Sequence, residues 1–275
     1  MTRTVTTVAD LRAALAAARP ARVGMVPTMG ALHDGHLSLV REARKHAGLV
    51  VVSIFVNPAQ FAPNEDFDAY PRTLEADLAK LAGQADLVFA PSAREMYPQG
   101  YATTINVAGP SAGLETDFRP HFFSGVATVV AKLLIAASPD IAVFGEKDYQ
   151  QLQVVRQMVR DLALPVEIIG APTLREADGL ALSSRNAYLG AEERKVASRL
   201  NQVLKDAIAR ARQGDLRAAE SWASQALQQA GFASVDYVAI RDAETLAPVT
   251  DLKRPARILA AAKIGKTRLI DNMAF

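Results

Sequence analysis

The run Leu49-Val50-Val51-Val52-Ser53-Ile54-Phe55-Val56 constrains the fold more than any other stretch of this chain. It is apolar without alternation and rich in β-branched residues, the pattern of a parallel strand covered on both faces. Strands of this kind alternate with helical patterns over the first two thirds of the sequence. Residues 23–28, 49–56, 85–90, 141–144 and 166–169 read as strands, and 8–19, 36–47, 74–81, 126–137 and 150–162 as helices, with Gly48 expected to close the second helix. Such alternation predicts an α/β fold with a doubly wound parallel sheet. Beyond about residue 173 the pattern changes. Two Ala-rich helical stretches, 191–212 and 215–229, precede strand candidates at 235–240, 257–262 and 267–270. The expected division is a sheet domain over 1–173 and a smaller C-terminal α+β domain over 174–275.

Composition narrows the chemistry. The 275 residues include no cysteine, which removes disulfides, thiolate metal sites and thioester intermediates, and suits a reducing compartment. The formal net charge is only +2, with Lys and Arg interspersed among Asp and Glu and no basic stripe, so nucleic acid is not an expected partner. The first residues lack an apolar signal core and no later run approaches a membrane span, so a cytoplasmic location is expected.

In doubly wound sheets ligands bind beyond the carboxyl ends of the strands, and three unusual loops fall there. Pro27-Thr28-Met29-Gly30-Ala31-Leu32-His33-Asp34-Gly35-His36 follows the first strand and spends two of the chain's four histidines at the start of a helix. A helix N-terminus offers unpaired N–H groups and partial positive charge, which suits phosphates. Its glycines let backbone approach a ligand, although a His pair alone reads equally as a capped turn. Asn57-Pro58-Ala59-Gln60-Phe61 reads as a strand-ending turn, which leaves Gln60 unexplained: its amide can both donate and accept toward a hydroxy acid. Gly145-Glu146-Lys147-Asp148 reads alone as a charged turn, and on this rim as an anion-binding loop with Lys147 as a point charge. Farther along, Leu182-Ser183-Ser184-Arg185-Asn186 reads equally as a cap cluster and as a phosphate clamp. Gly265-Lys266-Thr267 is not the end of a phosphate-binding Walker loop, because the required upstream glycine position, 260, is Ala.

His33-Asp34-Gly35-His36 resembles the HIGH-type motif of the adenylyl-transfer superfamily, and Leu182-Ser183-Ser184-Arg185 resembles its KMSKS-type loop. The combination of Pro27-Thr28-Met29-Gly30, Phe55–Phe61, Tyr70-Pro71-Arg72-Thr73, Phe144–Asp148 and Leu182–Asn186 closely resembles the pantoate–β-alanine ligase family, in order over essentially the whole chain, down to Arg268-Leu269-Ile270-Asp271-Asn272. One departure is Arg119-Pro120-His121-Phe122-Phe123, where the family often has Arg-Pro-Gly-His-Phe, and no role is carried to it.

The resemblance implies a Rossmann-like fold. It also implies a ligase that joins pantoate to β-alanine with ATP, releasing AMP and diphosphate through a pantoyl-adenylate. It places Met29, Gly30, Ala31, Leu32, His33, Asp34, Gly35, His36, Gly145, Glu146, Lys147 and Asp148 at ATP. Leu174 is placed near the base, and Leu182, Ser183, Ser184 and Arg185 around the phosphates. His36, His33, Lys147 and Arg185 are the expected catalytic groups, with His36 matching the family's proton donor. Gln60 and Gln151 are the expected pantoate contacts. Mg²⁺ is expected to bridge the β and γ phosphates, with no protein ligand named for it, and a homodimer is a family implication. The nearest rival is an adenylyltransferase of the same fold whose acceptor is a phosphate; a need for pantoate in diphosphate release separates the two.

Overall fold

The computed structural model describes residues 2–61 and 67–275. The chain divides into two compact units: Met1–Ala108, Arg119–Glu146 and Val154–Pro172 form the first, and Gly109–Phe118, Lys147–Gln153 and Thr173–Phe275 the second. Two segments before residue 173, Gly109–Phe118 and Lys147–Gln153, thus cluster with the C-terminal part of the chain.

Among the described residues of the first unit, six parallel strands form one sheet. They are β1 (Arg3–Val5), β2 (Val23–Thr28), β3 (Leu49–Ile54), β4 (Leu87–Phe89), β5 (Ile141–Gly145) and β6 (Glu167–Ala171), in the order β1-β4-β3-β2-β5-β6. Neighbours β2 and β5 mark the point where the winding reverses, the place such sheets use for ligands. The helices along this unit are α1 (Val8–Ala18), α2 (Asp34–His46), α3 (Leu74–Leu81) and α4 (Ala93–Met96). In the second unit lies α5 (Glu115–Phe118), followed in the first by α6 (Phe122–Ala137), while α7 (Tyr149–Asp161) begins in the second unit and ends in the first. Leu37, Val40 and Ala43 of α2 bury against Val26, Val50, Val52, Ile141 and Val143 of the sheet. That helical spacing against β-branched strand residues is why this stretch of sequence is legible.

The second unit carries an antiparallel sheet, β7 (Ser234–Asp242), β8 (Ala256–Ile264) and β9 (Thr267–Ala274), with helices α8 (Ala191–Ala197), α9 (Arg199–Ala211) and α10 (Leu216–Gln229). Its core joins Leu200, Val203 and Leu204 of α9, and Ala223 and Leu227 of α10, to Ile258, Ala260 and Ala262 of β8. Gly265 and Lys266 form the tight turn between β8 and β9, with Gly265 at φ +53°.

Several local expectations are corrected. The helix expected over 191–212 breaks at Ser198, whose hydroxyl donates back to Lys195 O at 2.9 Å and competes with the helical ladder. Helix α2 starts two residues before the expected 36, because His33 itself is the cap. Gly48 does not close α2: the helix ends at His46, Ala47 leaves in extended conformation, and Gly48 is not among the positive-φ glycines.

Candidate active site

The loop between β2 and α2 is held from below by α3. Gly30 sits at φ +85° and Ala31 at φ +50°, left-handed backbone that disfavours any residue with a Cβ. The carboxylate of Asp77, fully buried, accepts the N–H groups of Ala31 (2.9 Å) and Leu32 (2.8 Å) and the hydroxyl of Thr73 (3.2 Å). Lys80, on the same helix, donates to Leu32 O. Two side chains of one helix therefore fix both polar directions of the loop.

That loop delivers two imidazoles to the start of α2 in a defined state. His33 Nδ1 accepts the N–H of Gly35 at 3.1 Å, and His36 Nδ1 accepts the N–H of His33 at 3.3 Å. The rings lie with centroids 4.1 Å apart. A backbone N–H can only donate, so each Nδ1 presents its lone pair and each neutral ring carries its proton on Nε2. The helix start is thus capped by the histidines and also supplied by them with Nε2–H donors.

Gln60 lies on the 3-10 turn Pro58–Gln60 after β3. Asn57 builds this turn: its Oδ1 accepts from Ala59 N (3.2 Å) and from the Tyr97 hydroxyl (2.7 Å), and its Nδ2 donates to Gly125 O (3.1 Å). Burial pushes the Tyr97 phenol up to about 12, which keeps it a neutral donor. Arg119 donates to Gln60 O at 3.0 Å and stacks over the Phe122 ring at 4.0 Å, so the variant 119–123 segment supports the Gln60 turn. Gly125 of α6 allows the contact, since a Cβ there would collide with the Ala59 carbonyl oxygen. Gly125→Ala is expected to destabilise the protein by about 3 kcal/mol, at the upper end of overpacking costs, because the obstacle is backbone; urea unfolding checks it.

In the second unit, Lys147 and Asp148 occupy a 3-10 turn following β5, with Lys147 Nζ 3.8 Å from Asp148 Oδ1 and the lysine side chain largely covered. Gln150 is structural: it accepts from Glu115 N and donates to Pro110 O and Gly113 O, tying 109–118 to the start of α7. Gln151 follows on α7 and is half-buried.

Residues 174–182 form a small hairpin. Leu182 N donates to Leu174 O (3.0 Å) and Glu176 N to Leu180 O (2.9 Å), with Gly179 turning at φ +91°. The sequence-predicted base contact, Leu174, is thereby paired with the first residue of the predicted phosphate clamp. Arg175 grips Asp271 of β9 with two bonds, 2.7 and 2.8 Å. Arg194 of α8 holds Asp178 (2.7 Å) and Glu176 (2.6 Å), and this hydrogen-bonded guanidinium holds the Asp178 carboxyl below the usual carboxylate range. Ser183 Oγ accepts Arg185 N at 3.3 Å, so the cap reading of this cluster is realised.

The expected residues therefore fall into two sets. Met29–His36, Gln60, Gly145 and Glu146 belong to the first unit; Lys147, Asp148, Gln151, Leu174 and Leu182–Arg185 belong to the second, where β9 braces both of its groups through Asp271 and Asn272. Asp77, Asn57, Gly125 and Asn272 have supporting roles that the sequence reading did not assign. Thr73 and Asp77 four apart, next to a loop that needs two donors satisfied, is the signal that could have found the first.

A six-stranded parallel sheet with an imidazole-capped helix at its winding reversal defines the class: a Rossmann-like α/β protein. Comparison with known proteins makes this specific. The family model described as pantoate-beta-alanine ligase matches residues 3–274. Pantothenate synthetase of Mesorhizobium japonicum is 63% identical over 254 residues, 92% of this chain and 89% of that one. The Caulobacter vibrioides enzyme of the same name is 60% identical and covers 98% and 97%. The crystal structure of pantothenate synthetase from Thermus thermophilus superposes with a TM-score of 0.91 at 52% identity, covering 99% of each chain. That of pantoate-beta-alanine ligase from Francisella tularensis, complexed with beta-gamma ATP and beta-alanine, gives 0.84 at 34% identity, covering 100% and 98%. The chain belongs to the pantoate–β-alanine ligase family and is a carbon–nitrogen ligase.

Proposed function

We propose that this chain condenses pantoate with β-alanine in two steps at the residues described above. In the first, a carboxylate oxygen of pantoate attacks the α-phosphorus of ATP, the bond to the bridging oxygen breaks, and diphosphate leaves. In the second, the free-base amine of β-alanine attacks the acyl carbon, the bond to AMP breaks, and the nitrogen gives up a proton. Activation is needed because a carboxylate's charge repels a nucleophile, and without cysteine the activated acid is a bound mixed anhydride rather than a thioester. The observation that carries this reading is the pair of imidazoles at the start of α2 whose Nδ1 atoms accept backbone N–H groups, which puts the proton of each neutral ring on Nε2.

Phosphoryl-type transfer needs positioning and charge stabilisation more than covalent help. His33 and His36 donate to phosphate oxygens, with the backbone of Met29–Gly35 alongside. Lys147 and Arg185 supply positive charge as the diphosphate departs, Ser183 and Ser184 add hydroxyls, Glu146 and Asp148 shape the turn that presents Lys147, and Leu174 packs near the base. Gln60 and Gln151 satisfy pantoate's hydroxyls and carboxylate without adding charge. Magnesium would enter with ATP and would offset negative charge on the departing diphosphate. Among the described residues no group of three or more His, Asp or Glu side chains is placed to hold a metal ion. The reading extends to a homodimer in the cytoplasm; among the described residues no helix is long and apolar enough to cross a membrane.

The test is incubation with ATP: diphosphate release should require pantoate, and AMP turnover should require β-alanine as well. Release that ignores pantoate would overturn the reading. Gln60→Ala is expected to raise the KM for pantoate by about tenfold or more, the scale of a lost hydrogen bond to a buried polar group, while the KM for ATP stays near its original value. Steady-state kinetics with each substrate varied checks this.

A further inference from the structure

The sheet of the second unit ends in a buried amide that the reaction scheme leaves unused. Asn272 lies on β9, opposite Leu259 of β8, and is 4% exposed. A strand gains more from a β-branched side chain than from an amide, and a buried amide is costly unless its groups are bonded. Here the bonds are directed. Asn272 Oδ1 accepts from Arg257 Nη1 at 2.6 Å, which fixes the orientation of the amide, and Nδ2 donates to the backbone carbonyl of Lys147 at 2.8 Å. Arg257 also stacks its guanidinium 3.7 Å from the centroid of the Tyr149 ring, and the Tyr149 hydroxyl donates to Ala243 O at 2.7 Å. The turn carrying Lys147 is therefore held at two points, by Asn272 at the Lys147 carbonyl and by Arg257 at Tyr149 two residues on.

We infer that Asn272 is a positioning residue for the ligase reaction, setting the backbone from which the Lys147 side chain reaches phosphate. Fixing the carbonyl fixes the peptide plane, and with it the direction in which the Lys147 side chain departs; a flexible ammonium aimed wrongly contributes little. Arg257 keeps the amide from flipping, since the reversed amide would point its NH₂ at a guanidinium. This inference rests on the proposed role of Lys147, and the experiment separates the two.

Asn272→Asp keeps the volume and the acceptor facing Arg257 but removes the donor to Lys147; Asn272→Ser, neutral and shorter, guards against an effect of the added charge. Pantoate-dependent diphosphate release is measured for each, for Lys147→Ala, and for Asn272→Asp combined with Lys147→Ala, with thermal unfolding of every variant. The expected result is a fall in kcat of about 10- to 100-fold for both Asn272 variants, with a smaller change in the KM for pantoate, and less than about a threefold further fall when Asn272→Asp is added to Lys147→Ala. Wild-type kcat in the Asn272 variants would overturn the inference. So would an undiminished loss on the Lys147→Ala background, or failure of both Asn272 variants to fold, because either would make the role purely structural. Near-wild-type activity of Lys147→Ala would instead overturn the role of Lys147, and the inference with it.

Discussion

Replacing His36 with asparagine is expected to slow pantoate-dependent diphosphate release by about 100-fold or more, the scale of losing one preorganised donor to a transition state, while leaving the unfolding midpoint almost unchanged. The two nitrogens of the ring have separate tasks. Nδ1 accepts the N–H of His33 and closes the first turn of α2. An asparagine Oδ1 stands close to where that nitrogen stood and accepts as well, so the helix start survives. Nothing in asparagine replaces the Nε2–H. His36→Gln places its amide nitrogen nearer the lost Nε2 and should recover part of the rate. Rapid-quench measurement of the adenylation step, with thermal unfolding in parallel, checks both. If the His36→Asn rate matched wild type, the Nε2–H would have no part in adenylation.

Removing the Lys147 charge is the second large effect. Lys147→Met keeps a flexible apolar stem of similar length but no ammonium. When diphosphate leaves, negative charge builds on its oxygens, and a positive charge placed there counts for more in the transition state than in bound ATP. The fall expected is about 100-fold or more in kcat for adenylation. The same substitution should raise the KM for ATP only modestly, because ground-state ATP retains its other contacts. Single-turnover measurements of diphosphate release at saturating ATP separate the two. A variant whose entire defect disappeared at high ATP would show Lys147 to be a binding group alone.

The sheet was legible because its strands are unbroken β-branched runs separated by helical periodicity. Leu49–Ile54 and Val23–Thr28 occupy neighbouring strands for that reason. The short strand Arg3–Val5 was missed because three residues carry no period, and among the described residues β1 pairs only with the equally short β4. Helix boundaries moved where capping came from an unexpected residue: histidine is a rare N-cap, so α2 was placed two residues late. The motif residues were visible as short local patterns, of types suited to phosphate and to a hydroxy acid. Their supports were not, because the partners are remote in sequence: Asp77 acts on Ala31 and Leu32, Gly125 accommodates Ala59, and Asn272 reaches Lys147 across 125 positions. No local pattern announces a contact of that kind. The membership of Lys147–Gln153 in the C-terminal unit has the same origin, since Arg257, Asn272 and Ala243 bind that segment from far along the chain.

The decisive measurement follows the oxygen atoms of pantoate. With ¹⁸O in its carboxylate, and with ATP and β-alanine present, attack of a carboxylate oxygen on the α-phosphorus sends one labelled oxygen into AMP when the amide forms, and mass spectrometry of the product AMP should show it. Pantothenate formed alongside unlabelled AMP would mean that the acid was never joined to the nucleotide, and that the imidazoles at the head of α2 serve some other reaction.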